Sequence, residues 1–170
     1  ARKRLDTMLS FGVTTVEAKS GYGLDVDNEL KILRVIKSLS DHPIDCISTC
    51  LAAHIVPKEF AGRKSDYLSM IIHELLPEVV NDRLCEFVDI FVENNAFSIQ
   101  DASRLFEAAN ERGLRVKVHA EQLSYQGSAE LAGLHKAVSA DHLEFISNEG
   151  ITALKQSGTT AVLLPSCNLF

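Results

Sequence analysis

Short strand-like stretches alternate with helical stretches along almost the whole chain, and this alternation limits the folds open to it. Six stretches are β-branched or strictly alternating and are predicted to be strands: 12–19, 45–54, 85–94, 115–121, 137–145 and 159–166. Amphipathic stretches between them are predicted to be helices: 25–42, 65–82, 98–113, 128–134 and 147–158. Regular alternation of this kind predicts an α/β fold with a parallel sheet.

Several helix boundaries are marked by the residues that flank them. Ser98 followed by Asp101 is a capping pattern, and Gly113 marks the end of the same helix. Pro77 is predicted to kink or end the helix over 65–82, because proline lacks a backbone N–H and crowds the preceding turn. The first 12 residues contain no long apolar core and are interpreted as the end of a helix, not as a signal peptide.

Two architectures are compatible with six parallel strands, a doubly wound sheet and a (β/α)8 barrel. A glycine-rich phosphate loop after the first strand would favour the former, and the chain has only the isolated Gly21-Tyr-Gly23. His119, His142 and Pro165 recur at equal intervals of 23 positions, which is typical of regular barrel units. We therefore predict a partial (β/α)8 barrel. Six strands cannot close an eight-stranded barrel, so we expect strands 2 to 7 of one.

The composition narrows the range of partners. The net charge of −6 argues against binding to nucleic acid or to an anionic membrane surface, and no apolar run approaches the 18 residues of a membrane span. The cysteines, Cys46, Cys50, Cys85 and Cys167, have neither disulfide-framework nor zinc-finger spacing. They are predicted to be small buried side chains in the reducing cytoplasm.

Polar side chains stand where the predicted strands end, and in a barrel this edge carries the chemistry. The strand ends contain Glu17 and Lys19; His54; Glu93 and Asn94; His119, Glu121 and Gln122; Asp141 and His142. A single histidine at a strand end is more often a hydrogen-bonded structural residue. Three of the six histidines at equivalent ends instead indicate a metal or acid–base site.

The remaining polar residues have simpler interpretations. Lys117 alternates with two valines, shares a face with His119 and is predicted to be the charge partner of Glu17 or Glu93. The histidines outside the strand ends, His42, His73 and His135, are predicted to have structural or surface roles.

Five segments together resemble the imidazolonepropionase family of the amidohydrolase superfamily. They are VEAKSGYGL, LAAHIVP, VKVHAEQL, SAELAG and AVSADHLE, in this order along the chain. The resemblance extends from one end of the chain to the other. Lys19-Ser-Gly-Tyr-Gly-Leu24 and Ser139-Ala-Asp-His142 are the more specific strings, because a histidine in a β/α unit is common.

The resemblance implies an activity and a set of site residues. It implies metal-dependent hydrolysis of the cyclic amide of 4-imidazolone-5-propanoate to N-formimidoyl-L-glutamate, in histidine degradation, with one zinc or iron ion. His119 matches a metal ligand of the family, and His142 matches the residue that moves a proton between water and the reacting group. Tyr22, His54 and Gln122 match substrate-binding positions. The family also implies a cytoplasmic homodimer that acts on a small molecule.

The chain lacks several features of the family pattern. It contains no His-x-His of the first barrel strand, no aspartate of the last strand, no substrate-binding arginine before the tyrosine loop and no small β-sandwich. We therefore expect residues 1–170 to be part of one barrel domain and to be inactive alone. Two alternatives stay open: another amidohydrolase, such as a cytosine or guanine deaminase, and a catalytically inactive barrel that serves as a binding module.

Tyr22 lies between two glycines, which permit backbone angles that other residues tolerate poorly. The resemblance implies that this loop holds the tyrosine hydroxyl at the barrel mouth to meet the substrate. The alternative is a tight turn in which Tyr22 packs on the rim.

Overall fold

Six parallel strands form one sheet in the order in which they occur along the chain. The computed structural model describes residues 1–166. The strands are β1 (Thr15–Lys19), β2 (Asp45–Ala53), β3 (Phe87–Phe91), β4 (Arg115–Ala120), β5 (Ser139–His142) and β6 (Thr160–Val162). A doubly wound sheet would reverse its strand order at a switch point, whereas sequential order is that of a barrel. The predicted α/β fold with a parallel sheet is confirmed.

The sheet curls strongly. Lys19 Nζ at the end of β1 lies 2.7 Å from Asp141 Oδ2 on β5, although three strands separate the two. In a flat sheet, strands four places apart would be about 19 Å apart at ~4.8 Å per step. A single lysine side chain cannot bridge that distance, so the contact requires the sheet to close toward a half-barrel.

Helices connect the strands at the predicted places. They are α1 (Arg2–Ser10), α2 (Val26–Lys37), α3 (Lys64–Met70), α4 (Leu76–Asn81), α5 (Ile99–Glu111), α6 (Ser128–Leu134) and α7 (Asn148–Ser157), with a 3-10 turn at Lys58–Phe60. The capping box of Ser98 and Asp101 is present, and Gly113 and Gly158 follow their helices with positive φ. The local capping signals are therefore confirmed.

Pro77 was predicted to kink or end the helix over 65–82, and the structure shows that it does not end it. A π-helical turn over Ile71–Leu75 joins α3 to α4, and Pro77 lies in the first turn of α4. A π turn shifts the hydrogen-bond register by one residue. The irregular hydrogen bonding therefore lies directly before the proline.

The two faces of the sheet differ in chemistry because successive strand residues point to opposite sides. Outward residues such as Val88, Ile90 and Val118 are buried in one apolar cluster with helix side chains that include Leu33, Tyr67 and Phe106. The inner face carries several polar register pairs, among them Lys19 with Thr49, Asp89 with Lys117, and His119 with Asp141. The apolar core therefore lies between sheet and helices, and the concave side carries the candidate site.

Candidate functional site

The loop after β1 bends around a buried carboxylate. Glu29 on α2 is fully buried and accepts hydrogen bonds from the backbone N–H groups of Gly21 (2.9 Å) and Gly23 (2.6 Å). Gly21 has φ +115°, and a Cβ there would lie 2.7 Å from the carbonyl oxygen of Leu51. A Cβ on Gly23 would lie 2.4 Å from the backbone nitrogen of Glu29. A side chain therefore has no room at either position, and the positive φ of Gly21 also favours glycine.

This loop places Tyr22 over His54. The Tyr22 side chain is 77% exposed, and its ring meets that of His54 edge-to-face with 5.1 Å between centroids. His54 Nδ1 is buried without a hydrogen-bond partner among the described residues. Burial and the nearby His119 lower the pKa of His54, so this imidazole is neutral at pH 7. Both residues face the concave mouth.

The polar residues at the end of β4 differ in role. Glu121 is structural, whereas His119 and Gln122 are candidate site residues. Glu121 has φ +53° and is fully buried, and its carboxylate accepts from the backbone N–H groups of Gln126, Ser128 and Ala129. It thereby caps the start of α6. His119 remains on the inner face, and the half-buried Gln122 follows in the loop.

His142 stands beside His119 at the end of β5. The two rings are 5.5 Å apart between centroids, and His142 has φ +82°, a conformation that costs a non-glycine residue free energy. Its Nδ1 lies 3.6 Å from Glu144 Oε1, too far for a hydrogen bond. Burial and the nearby His119 lower the pKa of His142, so the ring is a neutral proton acceptor at pH 7.

Four of the five residues singled out by the sequence form one arc along the mouth. Between ring centroids, Tyr22 is 5.1 Å from His54, His54 is 6.4 Å from His119, and His119 is 5.5 Å from His142. Gln122 lies in the adjoining loop after β4, and within residues 1–166 it has no hydrogen bond from its side chain. The roles of these residues in binding and catalysis remain predictions.

A network of partly buried charges lies beside this arc on the inner face of the sheet. Lys19 Nζ is 2.7 Å from Asp89 Oδ2 and 2.7 Å from Asp141 Oδ2, and Lys117 Nζ is 2.8 Å from Glu17 Oε2. Burial alone would lower the pKa of Lys19, but the two aspartates hold it above its usual value. Lys117 therefore pairs with Glu17, as predicted.

Glu93, the other partner predicted for Lys117, instead binds the loop after β4. Its carboxylate accepts from the backbone N–H groups of Leu123 and Ser124, at 3.0 and 3.1 Å, and so fixes the loop after β4. Burial alone would raise the pKa of Glu93, but these hydrogen bonds and that of the Ser124 hydroxyl lower it.

Asp89 is the residue that sequence reasoning missed. It is fully buried, with both carboxylate oxygens 3.1 Å from His119 Nδ1 and Oδ2 also held by Lys19. Burial alone would raise its pKa, but the charges and hydrogen bonds of His119 and Lys19 lower the pKa to about 2. A signal was present in the sequence, because Asp89 interrupts an apolar strand between Phe87 and Phe91. On the neighbouring strand β4, Lys117 and His119 lie on the same face of the sheet as Asp89.

The cluster contains donor atoms that could hold a metal ion. Ligand atoms of Asp89, His119 and Asp141 lie within 4.8 Å of one another. The aspartate oxygens are already engaged, those of Asp89 by Lys19 and His119, and those of Asp141 by Lys19 and Ser139. His119 uses Nδ1 toward Asp89, which leaves Nε2 for an ion. An imidazole nitrogen suits zinc or iron, so His119 fits the implied metal as one ligand.

The other histidines have structural contacts or exposed positions. His42 is buried between Asp6 and the backbone N–H of Ile44, at 3.1 and 3.0 Å, and His73 is exposed on the π turn. His135 packs edge-to-face on Phe106. These residues agree with the structural or surface roles predicted for them.

The cysteines within residues 1–166 are all free thiols. Cys50 is buried, whereas Cys46 and Cys85 are partly buried. Burial raises the pKa of Cys85 to about 11, so this thiol stays protonated at neutral pH. Cys167, which was also predicted to be buried, lies outside the described residues. No helix in the described part of the chain is long and apolar enough to span a membrane.

The similar proteins found by comparison share one name. No family model matches the chain. An imidazolonepropionase of Shewanella oneidensis is 48% identical over 170 residues, which cover 99% of this chain and 42% of the relative. Those of Clostridium tetani and Pseudomonas putida are 47% and 49% identical, and cover 98% and 100% of this chain. The resemblance to the imidazolonepropionases is thereby confirmed.

The match is complete for this chain but partial for its relatives. The alignment with the imidazolonepropionase of Pseudomonas putida covers the whole chain and therefore every residue of the arc. The chain spans 40 to 43% of the length of these imidazolonepropionases. More than half of the length of each relative therefore lies outside the alignment.

Proposed function

We propose that this chain forms the central part of the catalytic barrel of a polypeptide that hydrolyses 4-imidazolone-5-propanoate to N-formimidoyl-L-glutamate, a step of histidine degradation. The observation that carries the proposal is the arc of Tyr22, His54, His119 and His142 at the ends of β1, β2, β4 and β5. It occurs in a chain that is 47 to 49% identical to imidazolonepropionases along essentially its whole length. Residues 1–170 would be a segment, strands 2 to 7, of one amidohydrolase barrel domain.

His119 would hold the metal ion, zinc or iron, through its free Nε2. The ion, when bound, supplies Lewis acidity and lowers the pKa of a coordinated water toward neutrality. Asp89 holds the other ring nitrogen of His119, so the imidazole presents its lone pair to the mouth. The ligands that complete the coordination would come from parts of the polypeptide outside these residues.

His142 would move the proton. The carboxylate of Glu144, 3.6 Å from Nδ1, favours a proton on that nitrogen and leaves Nε2 as the acceptor. Nε2 would take the proton from the attacking water and return it to the ring nitrogen as the C–N bond breaks. Gln122 can donate or accept hydrogen bonds but cannot act as a base, which leaves the proton transfer to His142.

Tyr22, His54 and Gln122 would bind the substrate. The Tyr22 hydroxyl, on a loop whose shape Glu29 fixes, and the neutral His54 ring after β2 stand at one end of the arc. A cyclic amide offers one carbonyl acceptor and ring N–H donors, which these groups complement.

The same proposal covers the compartment, the partners and the assembly of the enzyme. The free thiols within residues 1–166 suit a reducing compartment, and we propose the cytoplasm. The partner would be a small molecule, with neither nucleic acid nor membrane involved. A homodimer is the assembly that we propose from the family.

The test is turnover by the full-length polypeptide. Loss of the imidazolone absorbance and appearance of N-formimidoyl-L-glutamate, with one zinc or iron ion per chain, are expected. Release of ammonia from cytosine or guanine without imidazolone hydrolysis would assign a deaminase instead. No bound metal and no turnover of any of these compounds would support the inactive binding module.

A further inference from the structure

Asp89 is buried, charged and shared between two donors. Its side chain is completely inaccessible, with Oδ2 2.7 Å from Lys19 Nζ and both carboxylate oxygens 3.1 Å from His119 Nδ1. Lys19 is itself fixed, since it also contacts Asp141 Oδ2 at 2.7 Å. A buried carboxylate with two such partners has no freedom to turn.

The donors and acceptors in this chain of contacts determine where the protons lie. An ammonium group can only donate, and an ionised carboxylate can only accept. Asp89 therefore accepts from Lys19 on Oδ2 and from His119 Nδ1, which is equally close to both of its oxygens. His119 must then carry its proton on Nδ1, so its lone pair is on Nε2.

We propose that Asp89 is a positioning residue that fixes His119 as the Nδ1–H tautomer, with Nε2 free to bind a metal ion, and that Lys19 holds Asp89 in this orientation. The effect of Asp89 on metal affinity rests on the proposed function, because that function makes His119 a metal ligand. The tautomer itself depends only on the contacts described. Carboxylates that hold the second nitrogen of a metal-binding imidazole commonly change metal affinity by about 10- to 100-fold.

Lys19 also explains why the two aspartates do not act as ligands themselves. Its ammonium group lies 2.7 Å from an oxygen of Asp89 and of Asp141, where a cation shared by these carboxylates would stand. The chain thus supplies its own cation at that point. His119 is left as the ligand that faces the mouth.

The substitution Asp89→Asn tests the proposal with almost no change in shape. Lys19 cannot accept a hydrogen bond, so the amide oxygen of the new side chain must face Lys19. Its NH2 group then takes the place of Oδ1, 3.1 Å from His119 Nδ1, and opposes a proton on that nitrogen. The proton of His119 is thereby favoured on Nε2, the nitrogen that is needed for the metal.

The experiment uses the full-length polypeptide, metal-free and labelled with 15N-histidine, with His119 assigned by comparison with a His119→Gln sample. We expect the Nδ1–H tautomer in the natural protein and the Nε2–H tautomer in Asp89→Asn. Asp101→Asn is the matched control, because it neutralises another buried aspartate in the capping box of α5. It should leave the natural tautomer in place.

The second readout is the dissociation constant for Zn²⁺, measured by competition with a chelator. It should rise by about 10- to 100-fold in Asp89→Asn and stay within about twofold in Asp101→Asn. An Nε2–H tautomer in the natural protein would overturn the proposal even if Asp89→Asn failed to fold. An unchanged zinc affinity in a folded Asp89→Asn would also overturn it. Absence of imidazolone hydrolysis with these tautomers and affinities intact would refute the proposed function alone.

Discussion

At the scale of single residues, backbone strain marks the candidate catalytic histidine. His142 and the following Leu143 have φ angles of 82° and 71°, in a region that costs a residue with a Cβ about 1–2 kcal/mol. Strain of this kind persists only where the surrounding structure holds it. At the end of β5 it accompanies the placement of the His142 ring 5.5 Å from that of His119.

The two adjacent histidines should respond differently to removal. In the full-length polypeptide, we expect His142→Ala to lower the turnover number by at least about 100-fold, because general acid–base groups contribute that much, while the metal stays bound. His119→Ala should lose the metal and with it the activity. Metal per chain by mass spectrometry and steady-state kinetics separate the two effects. His73→Ala, on an exposed turn, is the control and should change neither; near-natural turnover in His142→Ala would contradict the mechanism.

Gly21 allows a prediction that separates a steric clash from backbone strain. Gly21→Ala puts a Cβ 2.7 Å from the Leu51 carbonyl oxygen, whereas Gly62→Ala, at φ +73°, meets nothing within 4 Å. Gly62→Ala should lower the free energy of unfolding by about 1 kcal/mol from its φ alone, and Gly21→Ala by about 1–3 kcal/mol more. Urea unfolding of both variants measures the difference. Gly21→Ala should also raise KM by moving Tyr22, and equal losses in the two variants would refute the clash.

At the scale of elements, buried carboxylates organise the loops around the mouth. Glu29 holds the loop after β1, Glu93 holds the loop after β4 from a neighbouring strand, and Glu121 caps α6. Each accepts backbone N–H groups that would otherwise be unpaired. The loops that present Tyr22 and Gln122 are therefore fixed by side chains that do not themselves reach the mouth.

The capping box of α5 gives stability a dependence on pH. Burial alone would raise the pKa of Asp101, but the Ser98 backbone N–H and the Lys64 ammonium, 3.0 Å away, hold it below the ordinary value of 3.8. A lowered pKa means that the carboxylate stabilises the fold above the unfolded value, and that this contribution disappears as the pH falls through the folded value. Asp101→Asn should therefore cost about 1 kcal/mol at pH 7 and progressively less below pH ~4.

Urea midpoints of the natural protein and of Asp101→Asn, measured from neutral to acid pH, provide the check. Asp27→Asn on the exposed face of α2 is the control and should change stability by less than about 0.5 kcal/mol at any pH. A difference between Asp101→Asn and the natural protein that grew toward low pH would have the wrong sign and contradict the assignment.

The elements show which features could be predicted from the sequence. Alternation and capping residues are local signals, so the six strands, the Ser98 cap and the end at Gly158 were predictable. The break that Asp89 makes in an apolar strand was visible too, but its ion pair was not, because Lys19 is 70 positions away and meets it only when the sheet curls. The π turn before Pro77 was missed for a different reason, since one residue of register shift leaves the apolar pattern of that helix almost unchanged.

At the scale of the whole molecule, curvature turns a polar sheet face into a site. The inner face carries ion pairs, Lys117 with Glu17 and Lys19 with Asp89 and Asp141, where branched apolar side chains commonly fill a barrel. Among these groups Asp89, Asp141 and Lys117 are buried, and buried charges are tolerated only when each has a partner. The ion pairs and the curvature therefore depend on each other, because flattening the sheet would separate β1 from β5 and leave Lys19 and Asp141 unpaired.

The same curved sheet has two unpaired edges, which predicts how residues 1–170 behave on their own. Among the strands of residues 1–166, β1 pairs only with β2, and β6 pairs only with β5. Open edges flanked by exposed apolar side chains associate with other chains, and Leu163 beside β6 is 65% exposed. We expect the isolated 170-residue chain to self-associate with rising concentration and to show no imidazolone hydrolysis.

Light scattering coupled to gel filtration measures the mass of the isolated chain against concentration. Leu163→Lys places a charge beside the β6 edge and should weaken the association. Leu134→Lys is the matched control, because Leu134 is 77% exposed at the end of α6, away from both edge strands. It should leave the association unchanged. A natural chain that stays monomeric at every concentration, or equal effects of the two lysine variants, would show that the sheet edges do not drive the association.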